Sequence, residues 1–296
     1  MTPDWIAADW GTTHLRVWAM SQSGTVLAQA SSDKGMGSLD RDGFEPALLD
    51  LVGDWIGATT PVIACGMVGS RQGWVEAPYA KVPCPALPTG FARPAVQDNR
   101  LDVRVVPGIK QTSPADVMRG EETQIAGFLA LNPKWDGVIC LPGTHTKWVH
   151  LSADEIVSFQ TCMTGDLFSA ISDHTVLRHS IADDWDEAGF SEGLDESLSR
   201  PERLAARLFS IRAEGLVGDL TKGRAKARLS GLLIGAELAA TKPYWLGQQV
   251  AVIGEGSLAR LYVEALAAQA VQATQVNAER ATLAGLTAAW RRLKEV

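Results

Sequence analysis

Cysteine is scarce in this chain, and the few present do not cluster. Cys65, Cys84, Cys140 and Cys162 form no CxxC pair. That excludes a zinc-ribbon spacing and a disulfide framework, and it suits a reducing compartment. Long apolar runs are missing as well: no window approaches the roughly 18 consecutive apolar residues of a membrane span. The opening MTPDWIAADWG has neither the basic start nor the apolar stretch of a signal peptide. The expected location is therefore cytoplasmic. Positive charge is in deficit, with 27 Lys and Arg against 34 Asp and Glu and a net charge of −7. This argues against nucleic acid or an anionic membrane surface as the main partner, although a local site can still be positive. Of the five histidines, His14, His145 and His150 form no HExxH or other metal-ligating pattern.

What is present is a globular composition, 46% hydrophobic and 21% charged over 296 residues. That suffices for two ordinary domains or one large one. The first thirty residues read as three short strands. Trp5–Ala8 is followed by the turn Gly11-Thr12-Thr13, an alternating stretch to Ala19, and Thr25–Ala30. Alternation bounded by glycine turns predicts an antiparallel meander. A helix is expected over Gly43–Ile56, a buried strand at Pro61–Cys65, and a long glycine- and proline-rich insertion over 66–99. Val103–Val106 reads as a strand. Ser113-Pro114 reads as the start of a helix running to Leu131 and bridging the two halves. Further helices are expected near 166–174, 201–213, 226–240, 257–270 and 280–293, with a strand at Gln249–Ile253.

The pattern restarts half-way. Aligned on Gly11 and Gly143, IAADWGTTHLRVW matches VICLPGTHTKWVH, each a strand, a Gly-Thr turn and a second strand. The expectation is a duplicated α/β domain, with boundaries at 1–120 and 121–296.

Two turns offer themselves to phosphate and a third to a nucleoside. Asp9 ends a strand before Gly11, Thr12 and Thr13, whose N–H groups and hydroxyls suit a phosphate while the carboxylate holds Mg²⁺ through its water shell. The plainer alternative is a hairpin with a turn carboxylate. Gly143, Thr144, His145 and Thr146 repeat the turn without the acid, and Lys147 is either a phosphate ligand or a solvated strand residue. Gly254, Glu255 and Gly256 lie between a strand and a helix, where backbone can approach a nucleoside. Candidate bases are Glu121, Glu122 and Asp166; the alternatives are a solvated helix face for the pair and a favourable helix N-terminal charge for Asp166. The segment containing Gly69, Ser70, Arg71, Gln72, Trp74 and Glu76 suits a sugar acid, with Arg71 for a carboxylate and Trp74 for an apolar sugar face. An ordinary ordered loop is the other reading.

The Asp-x-Gly-Thr-Thr loop, the second Gly-Thr loop and the late GxG turn, in that order, resemble the actin/hexokinase/Hsp70 superfamily. More narrowly, ADWGTTHLRVW, KGMG, MVGSRQGWVEAPY, DVMRGEETQIAG, LPGTHTKWV, FQTCMTGDLFSAI and LSGLLIGAEL resemble the 2-dehydro-3-deoxygalactonokinases. The resemblance implies two RNase-H-like domains flanking an active-site cleft. It also implies ATP-dependent phosphorylation of the 6-hydroxyl of 2-dehydro-3-deoxygalactonate, with a related gluconate kinase or an exopolyphosphatase-like hydrolase as alternatives. ATP and Mg²⁺ are the implied cofactors, and the small-molecule partners are the sugar acid and ATP; a homo-oligomer is left open. By the same analogy Asp9 organises Mg²⁺ and the two Gly-Thr loops hold phosphate, while Thr164 joins the sugar-acid residues. One of Glu121 and Glu122 is the expected base, with Asp166 second.

Overall fold

The computed structural model describes residues Thr2–Lys294. It divides into two compact units. One comprises the chain through Asp136, Leu151–Ser158, and the segment from Asn277 onward; the other comprises Gly137–His150 and Phe159–Val276.

In the first unit β1 (Trp5–Trp10), β2 (Leu15–Met20) and β3 (Val26–Ser32) form the expected meander, paired antiparallel with Ala8 opposite Val17 and Val17 opposite Ala30. The helix α1 (Phe44–Val52) follows. β4 (Thr60–Gly66) then pairs parallel with β1, placing Val62 opposite Ile6. Two short strands interrupt the insertion, β5 (Tyr79–Lys81) and β6 (Cys84–Pro85), before β7 (Leu101–Val105) closes the sheet beside β4. The central strands β1 and β4 are buried on both faces, so Trp5–Ala8 reads as a continuous apolar run, while the edge strand β3 is partly exposed. Ile6, Ala8 and Trp10 pack toward α1, while Trp5 and Ala7 pack with Leu286, Ala289 and Trp290 of the last helix. The Trp5 and Trp290 rings stack at 5.1 Å.

The helix expected from Ser113 is corrected. β8 (Gly108–Thr112) and β9 (Ala115–Met118) pair antiparallel across the cis Ser113–Pro114 turn, and β5 adds to β8 in parallel. The backbone hydrogen bonds of this stretch go to a hairpin ladder, and Gly120, at φ 109°, separates it from the helix α2 (Glu121–Leu131).

The second unit repeats the first. β10 (Gly137–Leu141), β11 (Thr146–Ser152) and β12 (Glu155–Cys162) follow one another, and the tip of the β11–β12 hairpin groups with the first unit, where Ile156 pairs with Cys84. Then come α3 (Thr164–His174), α4 (Glu187–Ser199), α5 (Leu204–Val217), α6 (Lys222–Ala240) and the short α7 (Lys242–Trp245). β13 (Val250–Ile253), α8 (Gly256–Ala267), β14 (Thr274–Val276) and α9 (Ala278–Lys294) complete the chain. One sheet runs β3-β2-β1-β4-β7; the other runs β12-β11-β10-β13-β14, with the two-residue β6 added at its β12 edge. Each reads third, second, first, fourth, fifth. The fourth strand is parallel to the first in both, with Val62 opposite Ile6 and Val250 opposite Val138. The repeated topology is what the paired Gly-Thr segments led one to expect.

The helix α2 groups with the first unit, together with α9, rather than opening the second. The two helices cross so closely that a Cβ on Gly127 would lie 1.8 Å from the Ala281 carbonyl oxygen, and one on Gly285 would lie 1.9 Å from that of Thr123. No other residue fits at either position without moving backbone. The helix α4, which sequence reading missed, meets α6 in the same way: a Cβ on Gly231 would fall 2.2 Å from the Phe190 oxygen.

Candidate active site

The end of β1 delivers Asp9 to a turn whose shape is held by the segment after β3. Gly11 N–H donates to the His14 carbonyl at 2.9 Å, Met36 N–H to Gly11 at 3.0 Å, and Gly37 N–H to Thr12 at 2.8 Å. A Cβ on Gly35 would strike the Thr13 backbone at 2.3 Å. The role of the KGMG segment is therefore to cradle the first loop, a function its sequence alone did not disclose. Thr12, Thr13 and His14 remain exposed. Asp9, Gly11, Thr13, His14 and Arg16 line an open cavity of about 280 Å³. Asp9 accepts a 2.6 Å hydrogen bond from Arg16 through Oδ2, and its Oδ1 lies 3.8 Å from the Cys65 thiol.

Two glycines bring the other carboxylates to this neighbourhood. Gly66 ends β4 at φ 92°, where a Cβ would lie 2.7 Å from the Trp10 oxygen and 3.6 Å from Asp9 Oδ1. A Cβ on Gly120 would lie 3.3 Å from the Gly66 Cα. The start of α2 thus abuts the end of β4, beside Asp9. Glu122 is fully buried there, accepting from Gly120 N–H at 2.6 Å and from the Thr123 hydroxyl at 3.1 Å. Burial, and secondly the charge of Glu121, push its carboxyl up to about 7. Burial together with Asp9 and Glu122 raises the Cys65 thiol, so that cysteine is inert at neutral pH. Glu121 is only half-buried, and its Oε2 accepts from Arg119 N–H at 3.0 Å. The pair that looked equivalent in sequence is divided: one carboxylate is sealed in, the other can meet solute.

The segment after Gly66 divides likewise. Gly69 is wedged between Arg119, Val105 and Ala77, and Ser70 is buried. Arg71, Gln72 and Glu76 are exposed. Trp74 is not a sugar-stacking surface: its ring lies in the core at 13° to Phe44 and edge-on to Trp10. The apolar payload of an indole is better satisfied there than at an open loop. Sequence reading missed Arg119, which stacks 4.3 Å over the Tyr79 ring, donates to the Ala77 carbonyl at 2.8 Å, and has a buried Nη1 with no hydrogen-bond partner among the described residues.

In the second unit the Gly143–Thr146 turn is fused to the start of α3. Asp166 N–H donates to the Thr144 carbonyl at 3.0 Å, His145 Nε2 lies 3.0 Å from Asp166 Oδ2, and a Cβ on Gly165 would fall 2.4 Å from the Gly143 oxygen. A cavity of about 590 Å³ opens against this turn. Gly143, Thr144, Thr164 and Gly165 form one side; Phe168, Trp185, Leu233, Ile234 and Leu258 supply apolar walls; Lys226, paired with Asp183 of the same lining at 3.5 Å, and Arg260, paired with Glu187 at 3.3 Å, supply charged groups. Ser257, directly after the Gly254–Gly256 turn, lines the same cavity, and Gly256 opens α8 at φ 65°. Glu255 is exposed beside it, and Lys147 is buried within β11. The size and the polarity gradient suit a nucleotide, apolar around a base and rich in N–H and hydroxyl groups toward phosphate.

Comparison with known proteins decides the kinship. A family model described as 2-keto-3-deoxy-galactonokinase matches residues 9–289. The chain belongs to the 2-keto-3-deoxy-galactonokinase family. A relative from Rhizobium meliloti (strain 1021), named "Probable 2-dehydro-3-deoxygalactonokinase", is 39% identical over 96% of both chains. The 2-dehydro-3-deoxygalactonokinase of Escherichia coli (strain K12) is 36% identical over 97% of both. A crystal structure from Sinorhizobium meliloti, assigned to the same kinase, is 37% identical with a TM-score of 0.90, covering 99% of this chain and 97% of its own. An activator of 2-hydroxyisocaproyl-CoA dehydratase from Clostridium difficile, solved with bound ADPNP, matches at TM-score 0.50 with 13% identity, over 98% of this chain and 96% of its own; it shares the fold alone. The repeated α/β architecture expected from the paired loops is the fold that this nucleotide-bound structure shares. Among the described residues no helix is long and apolar enough to cross a membrane.

Proposed function

We propose that this chain transfers the γ-phosphoryl group of ATP to the 6-hydroxyl of 2-dehydro-3-deoxygalactonate, in the cytoplasm, as a step of galactonate breakdown. The observation that carries the ATP half of this reading is the 590 Å³ cavity, apolar at one side and closed by the Gly143–Thr146 turn at the other. Family membership supports the sugar-acid half.

The proposed roles follow exposure. Thr144 and the N–H groups of the second turn receive phosphate, and Gly11, Thr12 and Thr13 form the first phosphate loop. Asp9 fits a Mg²⁺ site of the kind kinases use. One carboxylate at the rim of an open cavity suffices when phosphates and water supply the other ligands, and Arg16 is the group with which it would be shared. The metal would neutralise charge on the phosphates. Glu121 is the proposed base, because it is the half-exposed member of its pair, while buried Glu122 fixes the start of α2. In the transfer the sugar O6 bonds to the γ-phosphorus, the bond to the β,γ-bridging oxygen breaks, the hydroxyl proton passes to Glu121, and ADP leaves. Arg71 is the proposed contact for the sugar carboxylate.

The test is ADP release from ATP and Mg²⁺, with and without 2-dehydro-3-deoxygalactonate, beside its gluconate epimer. Release only with the galactonate acid supports the reading. Release that ignores the sugar acid overturns it.

A further inference from the structure

Behind the Gly143–Thr146 turn lies a buried acid that the reaction as described does not use. Glu237 sits in the apolar run of α6 and is 5% exposed. Three donors from three elements converge on it. Its Oε1 accepts from the Trp148 indole N–H of β11 at 2.7 Å, and its Oε2 accepts from the Tyr262 hydroxyl of α8 at 2.8 Å and from the Thr164 hydroxyl that opens α3. The Tyr262 oxygen also meets the Thr146 hydroxyl at 3.0 Å. Since Tyr262 gives its proton to Glu237, it accepts from Thr146, which fixes how the last hydroxyl of the turn points. Thr164 is followed by Gly165, whose backbone rests on Gly143, and by Asp166, whose N–H holds Thr144. Both ends of the turn therefore hang from one carboxylate.

We infer that Glu237 is a positioning residue that holds the Gly143–Thr146 turn in its phosphate-binding shape. This rests on the nucleotide reading of the adjoining cavity. A buried carboxylate contributes nothing attractive to an incoming phosphate, since like charges repel. If it acted through its charge alone, removing that charge would tighten phosphate binding. If it acts by holding the turn, removing it loosens phosphate binding despite the lost repulsion. The two effects have opposite signs.

The experiment measures Kd for ADP and for adenosine, by calorimetry, on the full chain and on Glu237→Gln, Thr164→Val and Thr164→Ser. In the glutamine variant the indole N–H keeps an oxygen acceptor, but the second position becomes a donor, so Thr164 and Tyr262 must both reorganise. The expected result is at least a roughly tenfold weaker Kd for ADP in Glu237→Gln and Thr164→Val, with adenosine held within about twofold and Thr164→Ser close to the parent. The Thr164 pair carries the test if Glu237→Gln does not fold. ADP bound as tightly as, or more tightly than, by the parent in these variants overturns the inference, as does an equal loss of ADP and adenosine. A parent chain that binds neither ligand removes the nucleotide site itself, and the inference with it.

Discussion

Replacing Glu122 by Gln should change how stability depends on pH, by an amount that follows from where the side chain sits. The carboxyl is fully buried, and its pKa rises from 4.5 to about 7. The folded chain therefore binds more protons than the unfolded chain between those values. The contribution of this group to stability is intact below the unfolded pKa, declines as pH rises, and is gone above the folded pKa. At about 1.4 kcal/mol per unit the full swing is ~3 kcal/mol, of which ~2.5 kcal/mol falls between about pH 5 and about pH 8.5. Glutamine cannot ionise. Its oxygen can still accept from Gly120 N–H, and the Thr123 hydroxyl can turn to accept from its amide. Urea unfolding followed by tryptophan fluorescence, run on both proteins across that range, isolates the effect as a difference. The variant should gain on the parent as pH rises through that range; a carboxyl such as Asp98, held below its ordinary value by Arg100, titrates at lower pH and is common to both proteins, so it drops out of the difference. A difference that does not vary with pH would refute the assignment of a raised carboxyl at this position.

Asp9→Asn should raise the Mg²⁺ concentration for half-maximal turnover by roughly 10- to 100-fold while leaving the fold intact by circular dichroism; an unchanged Mg²⁺ requirement would remove the metal role. Trp74→Ala should destabilise the first unit by about 3–5 kcal/mol in denaturant unfolding, whereas Arg71→Ala should raise KM for the sugar acid more than KM for ATP and leave stability alone. The reverse assignment of these effects would exchange the core and site roles. Gly285→Ala should cost at least about 1–3 kcal/mol, because its methyl lands on the Thr123 carbonyl, and an unchanged midpoint would show that the α2–α9 crossing can open.

Where one side of an element faces solvent or a glycine turn bounds it, its identity was legible in the residues. The opening meander and the repeated Gly-Thr turn are such cases, because alternation and turn chemistry are local. The helix α4 was not, because EAGFSEGLDESLS is rich in glycine and polar residues; its helical state depends on Gly189 and Gly193 lying against the α6 backbone, a partner distant in sequence. The β8–β9 hairpin was mistaken for a helix start because a serine before proline has the same chemistry in both settings, and only strand pairing decides between them. At the site, the Asp9 and Gly143 turns were legible from their small and hydroxyl-bearing residues. The division of Glu121 from Glu122 depends on which side of α2 meets β4. Glu237 carried a usable signal, a single acid in the apolar stretch LSGLLIGAEL, but its donors come from β11, α3 and α8.

The grouping of α9 with the earliest strands has a consequence for biosynthesis. Trp290 completes the face of β1 that carries Trp5, and Gly285 is needed against α2, yet both leave the ribosome after every residue of the second unit. The half of the protein that is translated first is therefore the half that finishes last. Until then the nascent chain carries an uncovered tryptophan-rich sheet face, a surface that chaperones recognise and on which early termination would leave it stranded.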